Sequence, residues 1–195
     1  MDIHSFFGAQ EKVELSGLAA WLDGLEEGER VRAVRSLSRR ELASLYDAAA
    51  GFRPLSLADF VPAEFPPLRP VIHHGKNSLP AFSAFQKRFC WNPERTELWG
   101  YNAQDAAWLE AAITPGYFVA RTHGEGEVVI DYRAEAPGRA EGWPEIRPNK
   151  ARLGRFVYFQ MQDYMRGVSR HVTIGRATKR GKEMTAWFAL CRDGR

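Results

Sequence analysis

Residues 151–167 read ARLGRFVYFQMQDYMRG, and the fold turns on how this stretch is taken. Leu153, Phe156, Val157, Gln160, Met161, Tyr164 and Met165 fall on one face of a 3.6-residue period, which predicts a helix. Tyr158 and Phe159 fall on the other face, beside Arg155, Gln162, Asp163 and Arg166. A helix with aromatic residues on both sides is usually buried on both. It is therefore expected to lie across a sheet, with its Tyr158/Phe159 face against another element, a ligand or a second copy of the chain.

The sheet is clearest just downstream. Val168–Thr178 and Glu183–Arg192 flank the basic tip Lys179-Arg180-Gly181-Lys182. With Arg180-Gly181 as a two-residue turn, Lys179 faces Lys182 and Thr178 faces Glu183. His171, Thr173, Gly175 and Ala177 then share a face with Met184, Ala186, Phe188 and Leu190. Val172 and Ile174 share the other with Trp187 and Ala189. Both faces are apolar near the middle, so both are expected to be covered; a bulge would shift the pairing.

Upstream, strands are expected over 81–91, 97–101, 117–122 and 128–133, the last two as a hairpin around Gly124-Glu125-Gly126. A short helix is expected over 105–113, and a Pro/Gly-rich loop over 134–149. Residues 52–80 hold six prolines among apolar residues, which predicts an extended arm lying over the core. Residues 15–50 carry helical spacing: Leu15, Leu18, Trp21, Leu22, then Val31, Val34, Leu37. The run Ser38-Arg39-Arg40-Glu41 is a capping box opening a further helix that Gly51 stops. Arginines 30, 32, 35, 39 and 40 sit among acidic residues, so this helical pair is not expected to read DNA. The expected fold is α+β: an N-terminal helical hairpin (1–51), a proline-rich arm (52–80), and a β-rich core (81–195). In that core a curved, mainly antiparallel sheet of about six strands packs on one long helix. All of it forms one structural domain.

At 195 residues, 45% hydrophobic and 26% charged, the chain can bury a core without a metal or disulfide. No apolar run is long enough for a membrane helix, and the start MDIHSFFGAQEKVE lacks an apolar signal core, so a cytoplasmic location is expected. Cys90 and Cys191 are expected as free, half-buried thiols. Residues 145–195 hold 12 Lys/Arg against 4 Asp/Glu, a basic quarter on a mildly acidic body. That asymmetry suits an anionic partner, unless the charges pair across the fold.

The sequence has no Walker loop, GxGxxG, GxSxG, HExxH or paired CxxC. The most capable polar run is His73-His74-Gly75-Lys76-Asn77-Ser78. Adjacent histidines on an extended chain point to opposite faces, and neither His123, His171, Cys90 nor Asp131 stands at ligand spacing, so no metal site and no cofactor are expected. Arg170 and Arg176 on the last hairpin can hold a carboxylate by charge-assisted bonds. Gln86, Lys87, Arg88 and Tyr101 are further polar candidates on strands. The leading expectation is a small, largely apolar ligand with an acidic group, bound in a cleft between sheet and helix. Its body would lie against Phe156, Tyr164, Trp187 and Phe188, and its acid would meet Arg170, Arg176 or His73, Lys76 and Asn77. One alternative is an enzyme with His171 or His74 as general base. Another is nucleic-acid or anionic-surface binding through the basic quarter, and a third is a homodimer through the Tyr158/Phe159 face.

Overall fold

The computed structural model describes residues 1–8, 12–79, 83–103, 115–149 and 158–194. Its described strands run antiparallel and close into a barrel in chain order. They are β1 (Val71–Asn77), β2 (Ala84–Trp91), β3 (Leu98–Ala103), β4 (Tyr117–His123), β5 (Glu127–Asp131), β6 (Met161–Gly167), β7 (Val172–Lys179) and β8 (Lys182–Arg192). β1 is the closing strand. His73 stands opposite Lys87 of β2 on one side and Arg192 of β8 on the other. Closure removes the unpaired edges that an open sheet must protect.

Period-two alternation fills the lumen. Phe85, Phe89 and Trp91 of β2 point inward with Leu98, Phe118, Ala120, Val128, Ile130, Met165, Phe188 and Leu190. The rings meet edge or tilted: Phe89 and Phe118 centroids are 5.1 Å apart, Phe85 and Phe188 6.0 Å. Small residues make room for them. A Cβ on Gly100 would lie 2.4 Å from both the Arg88 carbonyl and the Phe118 ring, and one on Gly175 would meet the Met165 sulfur and the Phe188 ring. Leu55, Leu57, Phe60 and Val61 of the arm plug one end of the barrel, with Phe60 fully buried on Phe89.

Two further clusters cover the outside. Helices α1 (Leu15–Gly24), α2 (Glu27–Ser36) and α3 (Arg39–Ala48) bury Leu18, Leu22, Val34 and Leu45 against the outer residues Val172, Ile174, Ala189 and Cys191 of β7 and β8. The capping box at Ser38 and Glu41 is formed as the sequence predicts. Arg30, one of the arginines weighed for DNA reading, is buried and donates to the Leu22 and Leu25 carbonyls, holding the α1–α2 turn. On the opposite wall, Ala136, Ala140 and Trp143 of the 134–149 loop cover Trp99, Tyr101 and Tyr117 of β3 and β4.

The expected α+β class, a sheet packed on one long helix, is overturned. The protein is a β-barrel with short helices outside it. Residues 161–167 form β6, bonded to β5 and β7 on both sides, so no helix crosses a sheet there. Gln160 adopts a left-handed φ of 61°, which is incompatible with a helix continuing into Met161. Residues 151–157 and the helix expected over 105–113 lie outside the described residues. Tyr158 and Phe159 sit in a turn, with Tyr158 buried against Tyr132, so these two residues do not form a face of the expected helix. The arm ends at Pro70 rather than at Pro80, because the proline-free stretch between them supplies β1.

The last hairpin pairs at its tip as expected, Thr178 with Glu183 and Lys179 with Lys182. Beyond it an irregularity between Arg176 and Thr178 shifts the pairing, so that Gly175 faces Phe188 and Thr173 faces Leu190. The shift preserves which residues share a face.

Candidate functional site

Lys87 lies midway between Phe85 and Phe89 on the inward face of β2, and that parity alone carries its ammonium into the lumen. Its side chain is 3% exposed. Three donors meet three acceptors there: Asn102 Oδ1 at 2.9 Å, the Tyr132 hydroxyl, and Asp163 Oδ2 at 3.2 Å. Asn102 in turn donates through Nδ2 to the Gly116 carbonyl at 3.2 Å and to the Tyr132 hydroxyl at 3.0 Å. Aromatic rings surround the charge, with Nζ 4.9 Å from the Phe188 centroid and 5.2 Å from that of Phe118. Asp163 Oδ1 is buried and has no hydrogen-bond partner.

Burial dominates the titration of this cluster. It pushes the Lys87 ammonium down and the Asp163 carboxyl up, and each partner's charge opposes the shift of the other. The Tyr132 hydroxyl is raised well above its ordinary range, first by burial. A desolvated lysine beside a carboxylate and a phenol is the arrangement in which a small change of surroundings moves a proton.

Among the candidate histidines, His73 has its ring in the core. It is 1% exposed, stacks on Phe60, and donates through Nε2 to the Phe60 carbonyl at 2.9 Å. Burial holds its pKa down to about 3, so the ring is neutral. The others scatter. Lys76 donates to Ser83 Oγ at 2.7 Å, and Asn77 Oδ1 accepts from the Leu79 backbone at 3.0 Å. Tyr164 sits on the outer wall of β6 with its ring edge-on to His123. Arg176 pairs with Glu183 at 2.8 Å and lies over Trp187, both on the outer side near the helices. Arg170 is exposed on the β6–β7 turn, where its backbone N–H donates to Asp23 at 3.0 Å. His171 is half-buried at the barrel end, with its pKa lowered first by burial and then by Arg30 and Arg192. Phe156 lies outside the described residues. The expected cleft residues therefore do not assemble into one site. Lys87, expected only as a polar strand residue, is the centre of the buried cluster, and Asn102, Tyr132 and Asp163 complete it.

Two arginines of the basic quarter are paired with carboxylates: Arg166 with Glu127 at 3.0 Å and Arg176 with Glu183 at 2.8 Å. Cys90 and Cys191 are free and fully buried, one under the 134–149 loop and the other under the helices. Burial pushes their thiols up to about 12 and about 11. Both are expected to resist a thiol-specific chromogenic reagent in the folded protein and to react together only on unfolding; a fast-reacting thiol in buffer would contradict their placement.

No protein-family model matches the chain, and no curated protein does. Two solved structures are similar. A surface lipoprotein aligns over 66% of this chain and 66% of its own, at 10% identity and a TM-score of 0.32. A point mutant of the vaccine antigen transferrin-binding protein B from Actinobacillus pleuropneumoniae aligns over 67% of this chain and 64% of its own, at 9% identity and a TM-score of 0.32. The chain thus spans just under two thirds of each. The expected cytoplasmic location finds no support in these matches, whose names are those of surface proteins. Likeness this low carries neither location nor binding activity to this chain, and none is assigned from it. Among the described residues no helix is long and apolar enough to cross a membrane.

Proposed function

We propose that the barrel lumen binds a small, largely apolar molecule through an acidic group. The observation that carries this is Asp163 Oδ1, a buried carboxylate oxygen with no hydrogen-bond partner, set among aromatic rings beside a buried ammonium. A buried acceptor without a donor is costly, and native proteins rarely leave one. An acid O–H supplies the donor that Asp163 lacks, and the Lys87 ammonium stabilises the carboxyl pair that then shares the proton. The apolar body of the ligand lies against Phe85, Phe118 and Phe188. Eight-stranded barrels are wide enough either to be filled by side chains or to hold one small ligand. Because the lumen rings meet at 5–6 Å, a ligand must take the place of a ring.

The test uses a dansyl-labelled undecanoic acid and its methyl ester as fluorescent probes. The acid is expected to bind saturably, and the ester at least about tenfold more weakly, the worth of one hydrogen bond to a charged group. The variant Lys87→Met/Asp163→Leu removes both charges and is expected to bind acid and ester alike. Equal binding of acid and ester by the unaltered protein would sink the proposed role of Asp163. Native mass spectrometry of protein purified from its own source then identifies any molecule it retains.

A further inference from the structure

We propose that Glu27, His74 and Asp193 form a divalent-metal site where the helices meet the barrel. The three residues come from separate parts of the chain: the first residue of α2, the outward face of β1, and the residue following β8. One donor atom of each lies within 4.8 Å of the other two. All three side chains are partly buried, so they are removed from bulk water without being sealed from it. The imidazole gives a second, independent observation. His74 Nδ1 is buried and has no hydrogen-bond partner. A ring nitrogen held out of water without a partner has paid the desolvation cost that a metal bond repays.

The backbone around the site is fixed by the barrel itself. His74 stands opposite Cys191 in the β1–β8 ladder, and the Asp193 N–H donates to the Ile72 carbonyl at 2.9 Å. Asp193 is thereby held beside β1 one step past the end of β8. The Gly194 N–H donates to Glu27 Oε2 at 2.9 Å, which orients the helix carboxylate toward the strands. Such bonds behind a ligand are how proteins aim first-coordination groups.

One imidazole nitrogen and two carboxylate oxygens suit zinc, and also cobalt or manganese, rather than calcium, which takes oxygen ligands. At bond lengths of about 2.0–2.2 Å, tetrahedral donors stand roughly 3.3–3.6 Å apart, so donors now within 4.8 Å of one another would close by at most about 1.5 Å. Three protein ligands leave a fourth position for water or another donor. An ion here would join α2 to both closing strands, tying the helices to the seam of the barrel.

The experiment strips the full-length chain with a chelator and titrates it with Zn²⁺ by calorimetry and with Co²⁺ by visible absorption. The expected result is one ion per chain, a rise in Tm with Zn²⁺, and absorption bands of four- or five-coordinate Co²⁺. His74→Gln and Glu27→Gln should each weaken binding at least about tenfold, with Glu27→Gln deciding the matter if His74→Gln does not fold. His4→Gln removes the other histidine–carboxylate pair, His4 with Glu41, and should leave binding unchanged. No binding by the unaltered chain, or binding lost only with His4→Gln, would overturn the proposal, and so would equal binding by the Glu27 and His74 variants. These outcomes are independent of the dansyl-acid test of the lumen.

Discussion

Lys87→Met lowers stability at neutral pH by about 3–5 kcal/mol, the cost of leaving one member of a buried ion pair without its partner. Methionine fills nearly the same space, so little of this loss comes from a cavity. It comes from Asp163, 1% exposed, whose charge would then have no counter-ion. The double variant Lys87→Met/Asp163→Leu is expected to recover most of the loss, because well-packed apolar groups can replace a buried pair at little cost. The pH dependence fixes the sign. Burial already raises the Asp163 carboxyl above its ordinary value, and removing the ammonium raises it further. A group whose folded pKa is raised contributes stability that is complete below its unfolded pKa, near 4, and is lost as pH rises through the folded pKa. The deficit of the single variant should therefore shrink on acidification from pH 7 toward pH 5, while that of the double variant, which has no Asp163 to protonate, should not shrink. Urea unfolding at the two pH values measures both. A single variant as stable as the unaltered protein at pH 7 would mean that the buried charge is solvated by something other than Lys87.

The parity of β2 shows how much of this site was legible. Phe85, Lys87, Phe89 and Trp91 alternate with Gln86, Arg88 and Cys90, and strand periodicity alone puts Lys87 on the Phe85/Phe89 face. What the sequence hides is that this face looks into a closed lumen. Closure depends on β1 meeting β8, a contact between distant parts of the chain that no local pattern announces. β1 itself was obscured by the prolines at 54, 62, 66, 67, 70 and 80, although the stretch 71–79 contains none and accommodates a strand.

β6 was misleading for a different reason. In MQDYMRG, Met161, Tyr164 and Met165 satisfy helical spacing while Met161, Asp163, Met165 and Gly167 satisfy period two. Seven residues cannot separate the two periods. The deciding feature, a left-handed backbone at Gln160, is not written in the residue type, since glutamine rarely adopts it. The last hairpin was legible because its turn chemistry and its alternation agree, and because both covered faces were already apolar. Arg176 and Trp187 lie on β7 and β8, whereas Arg170, expected on the hairpin strand, lies in the turn before β7. Their common destination was not readable, since inside and outside of a barrel look alike along a strand buried on both faces.

Acid is expected to unfold the barrel through His73. Its neighbours leave no room for a charged imidazole: it is 1% exposed, Phe60 stacks on one side and Phe89 meets it edge-on at 4.8 Å. Burial is the largest cause of its depressed pKa of about 3, and Arg192, His74 and Lys87 add to it, outweighing the bond to the Phe60 carbonyl. In the unfolded chain the same ring titrates near 6.5. Because the folded pKa is depressed, the stability held in the neutral ring is complete above the unfolded pKa. It falls as pH drops from about 6.5 toward 3, by about 1.4 kcal/mol for each pH unit. Between pH 7 and pH 4.5 the loss should reach roughly 3 kcal/mol. This opposes the Asp163 effect, so the clean measurement is a difference. His73→Gln keeps an N–H donor for the Phe60 carbonyl and removes the titrating ring, while Asp163 stays in place. The variant should be less stable at pH 7 through its poorer packing, yet lose roughly 3 kcal/mol less than the unaltered protein on going to pH 4.5. Parallel pH profiles for the two proteins would show that the ring is not the acid-sensitive group and that the arm, with Phe60 at its centre, opens before His73 takes a proton.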